Sequence, residues 1–454
     1  METISYAECL KEMFALGRFG IKLELETIAD ILTRLGDPEK KFQSIHIAGT
    51  NGKGSIASYI ASILSCSGFR VGLYTSPHLI KFNERFCING NMVSNEDVVE
   101  AYLAVKKADI GERKATFFEI STAMAFYLFA KKNVEWAVIE TGMGGRLDAT
   151  NVLKPEVTVI SNLSMEHTEY LGDTLEKIAA EKGGIIKYNT PLVTGVTQES
   201  AIEVLKNIAQ KESSPIYRYG SDFTAIKSCE VELGTRFNYN GMGVVWENME
   251  TQLLGEHQIQ NSSIALAVCE ILMDKQNQQI NKDIHSIDKS KRLTQESIRK
   301  GLLLTKWAGR LEFILKKPLV IIDGAHNLDA AENLSKYLAK HHSLAATNNP
   351  SQLTMIIGIL NDKPYKEMLK YLLPVADQII FTRANIDRSL APIVLKNFAT
   401  TISNVKTTVI EDVGKAVEYA IKNATENECI CIAGSLYVAG EARGKILSDF
   451  YTPK

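Results

Sequence analysis

Apolar residues recur along the first half of the chain in short runs that are typical of buried strands. Such runs cover residues 44–48, 70–74, 134–139, 157–160 and 191–194. Segments with apolar residues at helical spacing lie between several of them, as in residues 56–65. Alternation of this kind predicts a mostly parallel sheet that is covered by helices on both faces.

The pattern changes after this region and then returns. Residues 223–246 alternate between apolar and polar and predict β-hairpins beside the main sheet, whereas the polar stretch 274–295 predicts a solvated loop near a domain boundary. Strand-like runs then resume, and they predict a smaller doubly wound domain: 319–322, 354–358, 378–381, 407–410 and 429–433. The predicted fold class is therefore α/β. An N-terminal domain with a mostly parallel sheet and a small β-rich part would span residues 1–296, and a Rossmann-like domain residues 297–454.

Composition narrows the class of protein. A chain of 454 residues is long enough for two or three domains, and a net charge of -2 does not favour nucleic acid or an anionic membrane as a partner. The seven cysteines form no paired framework, which predicts reduced thiols. The start of the chain lacks the apolar stretch of a secretion signal, and the most apolar helical stretch falls short of the ~20 residues that span a bilayer. We expect a cytoplasmic protein.

A glycine-rich turn, Gly49-Thr50-Asn51-Gly52-Lys53-Gly54-Ser55, joins the first predicted strand to a helix. Glycines let backbone N–H groups face phosphate oxygens, and the helix directs its positive end to the same place. Lys53 would add a charge for the β- and γ-phosphates, and Ser55 a hydroxyl for phosphate or magnesium. The turn is not an ordinary Walker A loop, because Gly54 stands where Ser or Thr directly follows the lysine. The alternative is a plain turn between strand and helix.

Acidic and basic residues follow another predicted strand at its carboxyl end. Glu140 would project toward the phosphates, where a carboxylate can hold Mg²⁺; the alternative is an acid that caps the next turn. Arg146 and Asp148 follow glycines, and Arg146 would grip a substrate carboxylate unless the two form a structural ion pair. His167 also lies beyond a strand end, so a metal-ligand role is open alongside an ordinary surface or core role.

The second half offers fewer candidates. Arg310 and Asp323 flank a predicted strand, and Arg310 would neutralise charge on a transferred phosphoryl group. Lys182 has the pattern of an ordinary helical lysine. Residue patterns alone therefore indicate a phosphate site with an acid beside it, and they leave the substrate open.

Taken in order, several motifs resemble those of the bifunctional folylpolyglutamate synthase/dihydrofolate synthase family of the Mur ligase superfamily. The resemblance covers nearly the whole chain and is carried by the turn at 49–55 and by segments 74–79, 140–151, 181–182, 255–261, 307–312, 323–327 and 434–437. It departs from the family pattern at Glu166, where Asp is usual, and at Leu328, where Pro is usual.

The resemblance implies a site between an ATPase domain and a glutamate-ligase domain. It implies magnesium, with two ions expected, on Ser76, Glu140 and His167, and a lysine at position 182 that is carbamylated by CO₂. It implies ATP contacts from the residues Asn51, Gly52, Lys53, Gly54, Ser55, Asn261, Arg310 and Asp323. The pterin side would include Phe118, Glu119, Arg146 and Asp148, and the incoming glutamate would meet His326 and Ser435. Lys53, Lys182 and His326 would be the catalytic residues.

The activity that the resemblance implies is ligation of L-glutamate to dihydropteroate, to reduced folate polyglutamates, or to both, through an acyl phosphate. Two domains closing on one site need no second subunit, so we expect a monomer. Two other readings stay open on the residues alone: a Mur ligase acting on a nucleotide-linked cell-wall precursor, and a nucleotide-dependent switch that ligates nothing.

Overall fold

A computed structural model describes residues 4–16, 24–111, 113–231, 234–282, 290–344 and 352–450. The chain divides into two compact units. The first consists of Met1–His78, Phe82–Gln252 and Gln258–Lys306, and the second of Leu79–Lys81, Leu253–His257 and Trp307–Lys454. The break near Lys306 lies ten residues beyond the boundary drawn from the sequence, because helix Gln295–Leu304 packs within the first unit.

The first unit is built around a sheet that has eight strands in the described part of the chain. Its strands are β1 (Gln43–Ala48), β2 (Val71–Tyr74), β3 (Phe86–Ile88), β4 (Asn91–Met92), β5 (Trp136–Glu140), β6 (Val157–Ile160), β7 (Leu192–Thr194) and β8 (Ile216–Arg218), in the order β4-β3-β2-β5-β1-β6-β7-β8. From β2 to β8 the neighbours are parallel, whereas β3 and β4 are antiparallel additions at one edge. The central strands β1 and β5 therefore end side by side, which places the turns after them at one edge of the sheet.

Helices accompany this sheet, and an apolar core lies beneath them. They are α1 (Tyr6–Leu16), α2 (Glu26–Arg34), α3 (Lys53–Cys66), α4 (Asn95–Ala108), α5 (Phe117–Lys131), α6 (Thr168–Leu171), α7 (Leu175–Gly183), α8 (Glu199–Lys211), α9 (His257–Lys282) and α10 (Gln295–Leu304). Thr116 starts α5 with a reciprocal capping box to Glu119. One core cluster joins α1, α2, α4 and α5 to the sheet, and a second packs α7 and α8 against β6 and β7.

A three-stranded antiparallel sheet stands apart from the large one in the described residues of the first unit. It consists of β9 (Thr224–Val231), β10 (Gly234–Asn240) and β11 (Val245–Thr251), as the alternating pattern predicted. Glu270 on α9 attaches this sheet to the helix. Its buried carboxylate accepts hydrogen bonds from the Tyr239 hydroxyl and from the Met242 and Gly243 amides.

The second unit contains a sheet with six described strands in the order β12-β13-β17-β14-β15-β16. They are β12 (Glu312–Lys316), β13 (Leu319–Ile322), β14 (Leu353–Ile357), β15 (Gln378–Arg383), β16 (Lys406–Asp412) and β17 (Cys429–Ala433). Its helices are α11 (Leu328–Leu344), α12 (Tyr365–Leu372), α13 (Pro392–Ile402), α14 (Val413–Asn423) and α15 (Leu436–Asp449). The sheet is parallel except for the β12–β13 pair, and apolar clusters cover both of its faces. The mixed α/β fold with two such sheets confirms the predicted fold class.

The polar stretch 274–295 was predicted wrongly in its first part. Residues 274–282 continue helix α9, residues 283–289 lie outside the described residues, and α10 begins at Gln295. Among the described residues, none of the helices has both the length and the apolar character needed to cross a membrane.

Candidate active site

The glycine turn after β1 is shaped by close contacts that exclude side chains. Gly49 has a φ of 143°, and a Cβ there would lie 1.9 Å from the Ser161 hydroxyl oxygen. Gly52 has a φ of 83° and a Cβ there would lie 2.5 Å from Oδ1 of Asn261. Helix α3 begins at the next residue, Lys53, so its N-terminal amides face the turn. Both glycines are therefore required by the turn itself.

Residues after β6 hold the turn in place. The backbone N–H of Asn51 donates to Oδ1 of Asn162 at 2.8 Å, and the N–H of Thr50 donates to the carbonyl oxygen of Asn162 at 2.9 Å. The Ser161 hydroxyl donates to the carbonyl oxygen of Asn51 at 2.6 Å. Ser161 and Asn162 were not singled out from the sequence.

Lys53 and Glu140 come together at the carboxyl edge of the sheet. Nζ of Lys53 lies 3.9 Å from Oε1 of Glu140, and it donates to the carbonyl oxygens of Gly49 and Thr50, both at 3.0 Å. The Glu140 side chain is buried, and its Oε2 accepts the backbone N–H of Ser76 at 3.1 Å. A lysine ammonium, an acid and a hydroxyl-bearing residue therefore lie together where β1, β2 and β5 end.

Ser55 and Asn261 are linked by a residue that sequence reasoning missed. Gln258, buried at the start of α9, donates from Nε2 to the Ser55 hydroxyl at 3.3 Å and accepts at Oε1 from Asn261 at 3.2 Å. Because Asn261 also packs against Gly52, α9 braces the phosphate turn from the side. Gly54 is the second residue of α3. Gln258 lies within the motif at 255–261 that carries the family resemblance, but nothing in the sequence showed which residue of that motif contacts Ser55.

Lys182 is a buried lysine, not the solvated one that its sequence pattern indicates. Its side chain lies in α7, is only 5% exposed, and donates from Nζ to the carbonyl oxygen of Gly49 at 2.8 Å. Burial, with a further contribution from nearby Lys53, lowers the pKa of Lys182 to about 7. A large fraction of this amine is therefore neutral near neutral pH.

The other two residues predicted to bind metal, Ser76 and His167, differ in their surroundings. Ser76 follows β2, and its backbone N–H donates to Glu140. His167 directly precedes the short helix α6, has a φ of 51°, and has a side chain that is 40% exposed. Nε2 of His167 is 3.9 Å from Oε1 of Glu166. Within the ranges that the structure describes, no group of three or more His, Cys, Asp and Glu side chains is arranged to hold a metal ion.

On the predicted pterin side, Phe118 and Glu119 have different surroundings. The Phe118 ring packs so closely on Gly142 that a Cβ there would lie 2.4 Å from Cζ of the ring. The buried Glu119 carboxylate accepts hydrogen bonds from the Arg113 guanidinium at 2.6 Å and from the Thr116 amide at 2.7 Å. Both partners lie just before the start of α5.

Arg146 and Asp148 do not pair with each other. Arg146 is bonded through its guanidinium to Glu181 at 2.8 Å, and about half of its side chain is exposed. Asp148 is buried and accepts from the Met143 amide at 2.8 Å and from the Thr150 hydroxyl at 2.5 Å. The alternative to a substrate role, an ion pair between Arg146 and Asp148, is therefore wrong, because each residue has another partner.

In the second unit, Asp323 directly follows β13 and is half-buried. Its carboxylate accepts from the Leu311 and Ala325 amides, both at 2.9 Å. Burial raises the pKa of Asp323, although the neighbouring Arg310 acts in the opposite direction. The turn that carries Arg310 is fixed by Glu312, which accepts the Gly309 amide at 2.8 Å and a two-pronged contact from Arg443.

His326 and Ser435 are also in the second unit, each beyond the end of a strand. Nδ1 of His326 lies 2.8 Å from the carbonyl oxygen of Gly324. The buried Ser435 hydroxyl accepts the Val438 amide at 3.1 Å and caps α15. Both positions follow β13 and β17, which are neighbours in the sheet.

Comparisons with known proteins match both halves of the chain. Residues 47–269 match the Mur ligase middle domain, and residues 309–436 match the Mur ligase glutamate ligase domain. The dihydrofolate synthase/folylpolyglutamate synthase of Bacillus subtilis is 34% identical over 435 residues, which cover 94% of this chain and 96% of that protein.

Solved structures show the same similarity. A folylpolyglutamate synthase from Thermotoga maritima is 35% identical with a TM-score of 0.81, and the match covers 99% of this chain and 98% of that one. A structure of E. coli FolC in complex with DHPP and ADP is 25% identical with a TM-score of 0.84, and the match covers 98% of this chain and 99% of that one.

Proposed function

The chain belongs to the dihydrofolate synthase/folylpolyglutamate synthase family of Mur-type ligases, and from that membership we propose that it joins L-glutamate to dihydropteroate, to reduced folates that already carry glutamate, or to both. As a member of this family it is an ATP-dependent ligase. The complex of a similar enzyme with DHPP and ADP supports a folate-type acid and ATP as the substrates.

One observation carries the proposal: Lys53 and Glu140 lie 3.9 Å apart beside a glycine turn at the start of a helix. Amides and a cation on one side suit a triphosphate, and an acid on the other suits the metal that accompanies it. We assign the nucleotide to residues that converge on this place: Asn51, Gly52, Lys53, Gly54, Ser55 and Asn261. Arg310 and Asp323 are assigned to the same nucleotide.

The chemistry proceeds in two displacements. A carboxylate oxygen of the pteroate or folate bonds to the γ-phosphorus of ATP, the bond to the β–γ bridging oxygen breaks, and ADP leaves. The glutamate nitrogen then bonds to the acyl carbon and loses a proton, while the acyl C–O bond breaks and phosphate departs. Because there is little covalent chemistry for the protein to perform, alignment and charge stabilisation by Lys53 and Arg310 are its main contributions.

Magnesium fits the residues at the end of β2 and β5. Glu140 accepts the backbone N–H of Ser76, so the two residues lie side by side in the fold. We assign the Glu140 carboxylate and the Ser76 hydroxyl to the ion as hard oxygen donors, and His167 as a third ligand. Magnesium keeps several waters and binds through one or two carboxylates and substrate phosphates, so it does not require a preformed cluster of acids. When bound with ATP, two such ions would neutralise charge on the phosphates.

Lys182 fits carbamylation by its chemistry. The nitrogen of a neutral amine bonds to the carbon of CO₂ and releases a proton, which gives an anionic carbamate. The lowered pKa of Lys182 supplies the neutral amine near neutral pH. The carbamate would place an anion beside the turn that carries Lys53. We expect ligase activity to fall in CO₂-depleted buffer and to return with bicarbonate, and we expect Lys182→Met to respond to neither. Activity that ignores CO₂ in the wild type would contradict this assignment.

The folate side is assigned to Phe118, Glu119, Arg146 and Asp148, and the glutamate side to His326 and Ser435. Because the carboxylates of Glu119 and Asp148 are engaged by the protein, we assign them to holding the backbone that meets the substrate. The test is an assay with ATP, glutamate and either dihydropteroate or tetrahydrofolate, followed by product mass. A product one glutamate heavier supports the proposal. ATP hydrolysis that neither compound stimulates would support a switch instead.

A further inference from the structure

A hydrogen-bonded chain connects β1 to the loop after β5, and it passes through a histidine that the assigned chemistry does not use. His46 is fully buried in β1, with Nε2 2.8 Å from the Thr150 hydroxyl oxygen. The Thr150 hydroxyl donates to Oδ1 of Asp148 at 2.5 Å. We call this arrangement the His46–Thr150–Asp148 chain; all three side chains are buried.

The direction of each hydrogen bond follows from the donors available. Asp148 also accepts the Met143 amide on Oδ2 at 2.8 Å and the Thr150 amide on Oδ1 at 3.1 Å, so both of its oxygens act as acceptors. Burial raises the pKa of this carboxyl, and these hydrogen bonds act in the opposite direction. Because the single hydroxyl proton of Thr150 goes to Asp148, the Thr150 oxygen is the acceptor toward His46. His46 must then carry its proton on Nε2 and leave Nδ1 bare.

Nδ1 of His46 is buried and has no hydrogen-bond partner among the described residues. Burial and the nearby Lys187 lower the pKa of His46 to about 3, so the ring is neutral. An aliphatic residue would fill a central parallel strand without leaving a buried nitrogen unpaired, which indicates that the imidazole is kept for its bond to Thr150.

The far end of the chain holds part of the assigned site. Asp148 fixes the backbone at Met143, next to Gly142, and the Phe118 ring packs on Gly142. Gly142 itself lies two residues beyond Glu140. Hydrogen bonds therefore connect His46 to the backbone next to the wall that Gly142 and Phe118 form.

We propose that His46 is a positioning residue for the folate-side substrate, acting through Thr150 and Asp148 on the wall formed by Gly142 and Phe118. This inference rests on the proposed function, since that function assigns Phe118 and Asp148 to the folate side. It predicts both a fixed tautomer of His46 and a kinetic effect confined to one substrate.

The tautomer is measured without activity. In ¹⁵N-histidine-labelled full-length protein, the His46 signals are identified by their loss in His46→Gln, and long-range ¹H–¹⁵N correlations show which nitrogen is protonated. We expect a neutral ring with the proton on Nε2 from pH 6 to pH 8. A proton on Nδ1 would overturn the proposal, whether or not the wild type makes a product.

The kinetic test compares three variants. His46→Leu leaves the Thr150 oxygen without a donor, and we expect the KM for the pteroate or folate substrate to rise about tenfold, with the KM values for ATP and glutamate within about twofold of wild type. In His46→Gln the amide N–H can replace the Nε2 donor, so most of the effect should disappear. Thr194→Val, which removes a buried hydroxyl from β7 of the same sheet, is the control for lost stability alone.

The outcomes separate the two proposals. If the wild type makes no ligated product, the proposed function fails, and the tautomer still decides the role of His46 in the chain. If His46→Leu raises all three KM values together, or if His46→Gln rescues nothing, His46 is structural and the inference is wrong. Should His46→Leu fail to fold, His46→Gln and the tautomer measurement decide.

Discussion

The Lys182 ammonium group donates a hydrogen bond to the carbonyl oxygen of Gly49, 133 positions earlier in the chain. This contact ties a buried titratable amine on α7 to the first residue of the phosphate turn. Its protonation state therefore affects the turn as well as the stability of the unit, and the direction of that effect follows from the lowered pKa.

Stability should depend on pH through Lys182. The pKa of this amine is about 7 in the folded protein and near its ordinary 10.5 in the unfolded chain. The unfolded state therefore binds more protons between these values, and the free energy of unfolding rises with pH across that window. Denaturant unfolding in CO₂-depleted buffer should show the wild type gaining stability relative to Lys182→Met from about pH 7 to 10. A difference that stays flat over this range would contradict the buried amine.

Removing the charge of Glu140 should weaken magnesium dependence while keeping the fold. The amide oxygen in Glu140→Gln can still accept the Ser76 amide, but it offers the metal a neutral donor. We expect the Mg²⁺ concentration for half-maximal activity to rise at least about tenfold. The control is Glu135→Gln, one residue before the start of β5. The Glu135 carboxylate accepts the Arg70 backbone N–H and pairs with the Lys291 ammonium. An equal shift in both variants would exclude a specific role for Glu140.

Gln258 should matter for ATP although no role was predicted for it. Gln258→Leu leaves Ser55 and Asn261 without their common partner, and we expect a higher KM for ATP together with a loss of about 1–3 kcal/mol of stability. Gln260→Leu, two positions along α9, removes a hydrogen bond to the Gly195 carbonyl and serves as the control. An unchanged KM for ATP in Gln258→Leu would remove Gln258 from the nucleotide site.

The Glu312–Arg443 pair should stabilise the second unit measurably. The Arg443 guanidinium donates to both carboxylate oxygens of Glu312 at 2.9 to 3.0 Å, and each side chain is less than a quarter exposed. A double-mutant cycle with Glu312→Gln and Arg443→Met should give a coupling of about 1 kcal/mol. The exposed Lys317–Glu426 pair should give almost none, and equal coupling in the two pairs would contradict this ranking.

Much of the fold was predictable because buried parallel strands are continuous apolar runs. The bounds of β6 and β13 agree with the prediction. The end of α9 was missed because its Lys, Gln and Asn residues suggest a loop by composition, whereas Lys and Gln are also good helix formers. Strand β12 was missed because it is an edge strand with charged residues at both ends.

The site, too, contains residues that could be predicted from the sequence and residues that could not. Lys53 and Glu140 were predictable as neighbours because Lys53 lies in the turn after one central strand and Glu140 ends the strand beside it. Gln258 and Asn162 were not, because their partners in the turn are 203 and 111 positions away, and only the folded chain shows the pairing. His46 was hidden inside an apolar run, where its sequence surroundings indicate nothing beyond a core position.

The measurement that tests the account most directly is isotope transfer. The acid substrate is labelled with ¹⁸O in its carboxylate and incubated with ATP, glutamate and the enzyme, and the released phosphate is analysed by mass. The two displacements predict one ¹⁸O in the phosphate for each amide bond formed. Ligated product accompanied by unlabelled phosphate would contradict the acyl phosphate, and with it the assignment of the Lys53 turn and Glu140 to its formation.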